Sequence, residues 1–115
     1  MNYKPLPNGL FIKDSSIEGQ GLFTTRDLIA GCELGESHYR IDTSEIESIN
    51  EEENKNLFIR TPLGGFINHS EEPNCHRTQI RIKPGFDKWI ITVIKNVTAG
   101  DELTLKYKLY DPKKI

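Results

Sequence analysis

The sequence lacks several features that mark particular classes of protein. Its 115 residues include two cysteines, Cys32 and Cys75, which are too few for a disulfide framework, so we expect reduced thiols. No segment approaches the roughly 18 consecutive apolar residues that a membrane-spanning helix requires. The N-terminal stretch MNYKPLPNGL contains no apolar signal core. We therefore expect an intracellular protein, cytoplasmic or nuclear, with no membrane partner.

An excess of charge of one sign is also missing. The 15 Lys and Arg residues are nearly balanced by 17 Asp and Glu residues, for a formal net charge of −2. No overall basic field therefore favours direct binding of nucleic acid. With 36% hydrophobic and 28% charged residues, the composition is that of an ordinary globular protein. We expect a single domain over residues 1–115 with one core.

Short apolar runs separated by turn signals predict a mainly β protein. Alternating polar and apolar residues predict a half-buried strand at 78–83, which turns at 84–87 and pairs with a buried strand at 89–94. Further strands are predicted at 9–13, 17–23, 34–41, 57–59 and 102–107, with turns at 30–31, 62–65 and 99–101. Ser44 and Glu47 have capping-box spacing, so the best helix candidate is 44–54. The lack of long helical periods excludes the alternating strand–helix architecture of dehydrogenases and similar enzymes.

Polar residues are concentrated at 66–76, FINHSEEPNCH. His69, Cys75 and His76 could be zinc ligands, although no CxxC or HxxxH pair is present. Cys75 with a histidine base could form a nucleophile, but short spacing does not bring two side chains together. The third interpretation is a polar loop with asparagine and proline turn chemistry, in which Cys75 is a small buried hydrophobe.

Three stretches in a fixed order favour a more specific interpretation. They are GQGLF at 19–23, FINHS at 66–70 with PNC at 73–75, and GDELT at 100–104 ending at Tyr107. Together they resemble the SET domain, the family of protein-lysine methyltransferases that use S-adenosylmethionine, over about residues 9–107. The resemblance implies a mainly β, β-clip-like fold of small curved sheets with one short helix. It also implies a C-terminal pseudoknot formed by segments 66–70 and 104–107.

The resemblance also implies a set of site residues. Those that would bind the cofactor are Gly19, Gln20, Gly21, Leu22, Asn68, His69 and Tyr110. The two glycines would let the backbone approach the cofactor, because a Cβ there would obstruct it. Tyr107 matches the catalytic tyrosine, and Tyr39 is a candidate second tyrosine in the substrate channel. No metal is implied, and no side-chain base is required if the acceptor lysine arrives neutral.

Leu105 is the residue two before Tyr107, a position that often limits the number of methyl groups in the family. Its short apolar side chain predicts dimethyl- or trimethyl-lysine, whereas the simpler interpretation is that it packs in the strand core. Lys106 departs from the acidic residue that often precedes the tyrosine. The cysteine-rich segment that follows the tyrosine in many members is absent, which leaves 108–115 as a short lid. A second subunit, in a homodimer, or the substrate itself would then complete the channel.

The expected partner is a protein with a basic, lysine-containing segment. Glutamates at positions 45, 47, 51, 52 and 53 crowd the predicted helix, and Glu71 and Glu72 flank the cofactor loop. Such charge runs are often only a solvated face, but they would also complement a basic peptide. The competing hypotheses are a catalytically silent SET fold that binds a partner, and an enzyme whose acceptor is a small amine.

Overall fold

A computed structural model of the chain describes residues 6–42 and 56–107. The predicted helix at 44–54, the glutamates within it, the predicted lid and Tyr110 lie outside the described residues. Within the described ranges no helix is long and apolar enough to cross a membrane.

The described residues form two small sheets and one short helix. In chain order the elements are β1 (Leu10–Asp14), β2 (Gln20–Thr24), β3 (Glu33–Asp42), β4 (Asn56–Arg60), α1 (Pro62–Phe66), β5 (Asn68–His69), β6 (Cys75–Lys83), β7 (Phe86–Val93) and β8 (Glu102–Leu105). One sheet has the order β1-β2-β8-β5 and the other the order β4-β3-β7-β6. The prediction of a mainly β fold with small sheets and one short helix is confirmed.

The predicted hairpin of the second half is present, with longer strands, but residues 78–83 are exposed rather than half-buried, since Ile80 and Ile82 are 37% and 44% exposed. Lys83 pairs with Phe86 across a turn in which Gly85 adopts a positive φ of 84°, a conformation that glycine adopts without a steric penalty. β6 begins at Cys75 rather than at 78, and β7 begins at Phe86 rather than at 89.

The prediction of a turn at 62–65 is wrong, because these residues begin α1. Thr61 caps the helix by accepting a hydrogen bond from the Gly64 N–H at 3.2 Å, and Pro62 occupies the first turn, where its missing N–H is tolerated. Gly64 lets the helix pack closely on β3, since a Cβ there would lie 2.3 Å from the Ser37 carbonyl oxygen. The helix ends at Phe66, the first residue of the polar segment, and so sets the direction in which that segment leaves the helix.

The two segments expected to meet in the pseudoknot lie side by side. β5 pairs in parallel with β8, with Asn68 opposite Thr104 and His69 opposite Leu105. The Ser70 N–H extends the pairing by donating to the Leu105 carbonyl oxygen at 2.8 Å. β8 ends at Leu105, so Tyr107 lies just beyond the strand.

The hydrophobic core lies where both sheets and α1 meet. Leu22, Ile91 and Leu103 are fully buried, and Leu63 of the helix packs in the same cluster. This core fixes β8 between β2 and β5, and so determines which residues surround the segment that follows it.

Candidate active site

A cleft of about 560 Å³ lies beside the turn that precedes β2. This volume is in the range of small-molecule sites. The cleft is lined by Ile17, Glu18, Gly19, Gln20, Phe66, Asn68, His69 and Tyr107. Residues 17–20 are called the glycine turn below. The structure thus brings together five residues predicted from the sequence, which come from three separate stretches: Gly19, Gln20, Asn68, His69 and Tyr107.

Asn68 connects the glycine turn to the rest of the site. Its amide nitrogen lies 3.1 Å from the Glu18 carbonyl oxygen, 3.3 Å from that of Gln20 and 2.9 Å from Oε2 of Glu102. Two N–H groups are thus shared among three acceptors. Asn68 therefore determines the shape of the turn that lines the cleft.

Glu102 is a functional candidate that the sequence did not reveal. Ser15 Oγ lies 2.8 Å and 2.9 Å from its two carboxylate oxygens, and Asn68 donates to one of them. A Cβ on Gly21 would lie 2.1 Å from Oε2 of Glu102. A side chain at position 21 would therefore displace this carboxylate from its contacts with Ser15 and Asn68. The contacts span many positions in sequence, so only the presence of Glu102 within the third motif could have suggested it.

Gly19 differs from Gly21 in what surrounds it. It has a positive φ of 49°, and a Cβ there would meet no atom within 4 Å. Its exposed backbone lines the cleft directly. Of the two glycines, Gly19 is the one that leaves room for a ligand.

Tyr107 is held at both ends. Its backbone N–H donates to Nδ1 of His69 at 2.8 Å, and its hydroxyl donates to the Ile67 carbonyl oxygen. Burial raises the pKa of the Tyr107 phenol, while Arg77 and Arg60 act in the opposite direction. At neutral pH the hydroxyl is therefore protonated and able to donate a hydrogen bond.

Comparison with known proteins identifies the family. The family model of the SET domain matches residues 19–108, which is more than half of the chain. The chain belongs to the SET-domain family.

Curated relatives of this SET domain are much larger proteins. Histone-lysine N-methyltransferase trithorax of Drosophila virilis is 31% identical over 121 residues, which cover 88% of this chain and 3% of that protein. Histone-lysine N-methyltransferase 2D of Homo sapiens is 30% identical over 118 residues, which cover 88% of this chain and 2% of that protein. The chain thus spans 2–3% of the length of these curated relatives.

A solved structure shows the same fold. The crystal structure of a candidate histone methyltransferase of Plasmodium falciparum matches with a TM-score of 0.68 at 19% identity. The match covers 92% of this chain and 98% of that chain. The fold is therefore shared over nearly the whole of both chains.

Other residues predicted for the SET-domain site lie away from the cleft. Leu22 is fully buried in the core and offers a ligand no exposed surface. Tyr39 lies in the middle of β3 with its ring centroid 6.2 Å from that of Phe86. Leu105 is 2% exposed and borders a separate cavity of about 310 Å³ together with Trp89 and others. Their roles in binding or catalysis stay predictions.

The polar segment does not have the geometry of a nucleophile with its base. Cys75 is buried and His76 exposed, because neighbouring residues of a strand point to opposite faces. Burial raises the pKa of the Cys75 thiol to about 12, so the reactive thiolate is scarce at neutral pH. In residues 6–42 and 56–107, no three His, Cys, Asp or Glu side chains form a group that could hold a metal ion.

Asn74 gives the polar segment a structural role. Its side-chain nitrogen donates to the Glu102 carbonyl oxygen at 2.9 Å, and its side-chain oxygen accepts from the Thr104 N–H at 2.9 Å. One side chain thus pairs with β8 as a neighbouring strand would. This geometry matches the third interpretation of the segment, a turn-forming loop with a buried cysteine.

Proposed function

We propose that this domain transfers a methyl group from S-adenosylmethionine to the side-chain amine of a lysine in a protein. Membership of the SET-domain family supports the reaction class, and relatives named histone-lysine N-methyltransferases support a protein acceptor. The observation that carries the proposal is the position of Tyr107. It lines the same cleft as Asn68, His69 and the glycine turn, with its backbone and its hydroxyl both held by hydrogen bonds.

The cleft suits the proposed cofactor. Gly19 presents backbone to the cleft where a Cβ would meet no atom, so the amino-acid portion of a ligand could approach closely. The glycine turn, Asn68 and His69 would hold the ligand, and the partly exposed Phe66 offers an apolar face beside them. When bound, S-adenosylmethionine supplies a methyl group on a sulfonium, which is transferred by in-line displacement. The protein's part is to orient the acceptor amine, and such positioning contributes several kcal/mol.

The acceptor amine must be neutral, although a free lysine has a pKa of about 10.4. The fields of Arg77 and Arg60 reach the Tyr107 phenol and act to lower its pKa. Positive charge of this kind also disfavours the ammonium form of an amine placed beside Tyr107, as does removal of water. We propose that these effects, together with the hydroxyl of Tyr107, prepare the lysine without a dedicated base.

The substrate class and the extent of reaction are finer proposals. We propose a basic protein segment, attracted by acidic groups that include Glu18 in the cleft lining and the exposed Glu71 and Glu72. We also propose that the reaction reaches dimethyl- or trimethyl-lysine, on the basis of Leu105. A homodimer that completes the channel and an intracellular location, cytoplasmic or nuclear, belong to the same set of predictions.

Incubation with methyl-labelled S-adenosylmethionine and histone proteins tests the function. Mass spectrometry would then map the modified lysine and count its methyl groups. We expect Tyr107→Phe to fold normally and to lose turnover by roughly a hundredfold or more, as removal of a well-placed transition-state group does. Tyr39→Phe is the matched comparison and should lose less, because Tyr39 does not line the cleft.

Calorimetry separates binding from catalysis. Asn68→Ala should weaken cofactor binding, because the glycine turn loses its anchor. Absence of cofactor binding at millimolar concentration would contradict the enzyme proposal. Cofactor binding without methylation of any protein or small amine would instead support a catalytically silent binding module.

A further inference from the structure

Glu71 contacts both His69 and Lys106, the two residues that hold Tyr107 in place: His69 through its ring and Lys106 through the chain. One of its carboxylate oxygens lies 2.9 Å from Nε2 of His69. The other lies 3.4 Å from Nζ of Lys106. Since Lys106 is bonded directly to Tyr107, and His69 accepts the Tyr107 N–H, the four residues form a closed ring.

The ring fixes the protonation of His69. A backbone N–H can only donate, so the 2.8 Å contact with Tyr107 requires Nδ1 of His69 to be an acceptor without a proton. The proton of the neutral imidazole must then lie on Nε2, which points at Glu71. Hydrogen bonds from His69 and Lys106 hold the pKa of Glu71 below its usual value, so this carboxylate is ionised and can only accept.

We infer that Glu71 is a positioning residue for Tyr107, acting by selecting the His69 tautomer whose Nδ1 accepts the Tyr107 N–H. The inference rests on the proposed function, because it presumes that Tyr107 contacts the reacting groups. Lys106 aids by holding the Glu71 carboxylate close to Nε2 of His69. This arrangement also accounts for a basic residue before the tyrosine, since here the acidic partner is supplied by the loop after β5.

The ion pair between Glu71 and Lys106 does not by itself explain how Tyr107 is positioned. Both side chains are mostly exposed, at 75% and 60%, and exposed pairs contribute little because water screens them. The acceptor for Nε2–H is different, because without it His69 can place its proton on Nδ1. The Tyr107 N–H would then face a second donor and lose its partner. β8 ends at Leu105, so Tyr107 has no strand pairing to replace that contact.

Three variants distinguish the acceptor from the ion pair. Glu71→Ala removes both, and we expect a three- to tenfold lower kcat, roughly the effect of one hydrogen bond, while any rise in KM from the lost acidic charge should be equal in Glu71→Gln. Glu71→Gln keeps an oxygen for Nε2–H and should retain most of the kcat. The double variant Glu71→Lys with Lys106→Glu restores the ion pair but not the acceptor, so its kcat should stay near that of Glu71→Ala. Glu33→Ala, an exposed glutamate at the start of β3, is the control.

Nitrogen-15 NMR of the His69 ring gives a readout that does not depend on turnover. In the wild-type protein we expect the proton on Nε2, and in Glu71→Ala a mixture of tautomers with a shifted Tyr107 amide signal. A wild-type ring protonated on Nδ1 would overturn the inference, and so would full recovery of kcat in the double variant. If the wild-type protein methylates no acceptor, the proposed function fails, while the NMR experiment still decides whether Glu71 positions Tyr107.

Discussion

Two carboxylates, one in each sheet, form the centres of hydrogen-bonded networks that differ in burial and in the origin of their partners. Asp87 of β7 is 1% exposed and accepts from Arg40 at 2.8 Å and 3.1 Å, from Gln79 at 3.1 Å and from Arg81 at 3.1 Å. Glu102 of β8 is only partly buried and accepts from Ser15 and Asn68.

The difference lies in what each network connects. Arg40 on β3 and Arg81 on β6 lie directly opposite Asp87 in the two flanking ladders, so the backbone pairing already brings the charges together. Ser15 lies in the loop after β1, and Asn68 in β5 lies opposite Thr104 rather than Glu102, so neither partner of Glu102 lies directly opposite it in a ladder. The Asp87 network therefore stabilises a sheet, whereas the Glu102 network shapes the cleft.

The largest expected effect is on stability, from Asp87→Asn. The variant leaves two guanidinium groups facing an uncharged amide, and breaking a buried ion pair costs about 3 kcal/mol or more. We expect the low end of that range, because Arg81 is 65% exposed and can be rehydrated. Urea unfolding measures the loss, with the exposed Asp14→Asn as control. If Asp87→Asn costs no more than Asp14→Asn, the contrast between the two carboxylates fails.

The same network predicts how stability depends on pH. Hydrogen bonds from Arg40, opposed by burial and aided by Arg81 and Gln79, lower the pKa of Asp87. An unfolded aspartate titrates near pH 3.9, so this contribution is fully present above about pH 4 and is lost as the pH falls through the folded pKa. The unfolding free energy of Asp87→Asn should therefore fall less steeply below pH 4 than that of the wild-type protein.

The Asp87 region could be predicted from the sequence in part. Alternation over 78–83 and the Pro84-Gly85 turn indicate the hairpin, because one face of β6 is polar and the turn chemistry is local. The extension of β6 back to Cys75 could not be predicted, since no alternation marks 75–77. The helix α1 was missed because two glycines dominate residues 62–65, although Thr61 and Pro62 form a helix start signal.

The next prediction concerns Gly21, where an added Cβ would lie 2.1 Å from Oε2 of Glu102. Gly21 lies within β2 and does not have a positive φ, so alanine is not strained there and any loss comes from crowding. Gly21→Ala should cost about 1–3 kcal/mol, as overpacking does, and should weaken cofactor binding. Adding Glu102→Asp shortens the acid by one methylene and should restore part of both losses. If the second change gives no recovery, Glu102 is not what requires glycine at this position.

The candidate site could be predicted from the sequence only as motifs. The motifs indicate Gly19, Asn68, His69 and Tyr107 because residues close in sequence act together there. The contacts of Glu102 were not predicted because Ser15 and Asn68 come from other segments, and the contact of Glu71 with Lys106 was not predicted for the same reason. Ser15 and Glu102 are 87 positions apart, and only the pairing of β2 with β8 brings them together.

The smallest expected effect on stability comes from Ser15→Ala. Ser15 Oγ accepts the Ile17 N–H at 2.9 Å and lies near both oxygens of Glu102, although its single proton can serve only one of them at a time. The variant loses one donor and one acceptor at a partly buried site, so we expect about 1 kcal/mol of destabilisation. Ser16→Ala, an exposed neighbour, is the matched control.

Ser15→Ala should also weaken cofactor binding, by about as much free energy as it costs in stability. Ser15 connects the start of the glycine turn to Glu102, so its loss lets residues 17–20 move relative to Asn68 while the core stays intact. Cofactor affinity measured by calorimetry should then fall by roughly five- to tenfold, about what one hydrogen bond contributes. Loss of stability without loss of affinity would assign Glu102 the same purely structural role as Asp87. That result would remove the distinction between the two carboxylates.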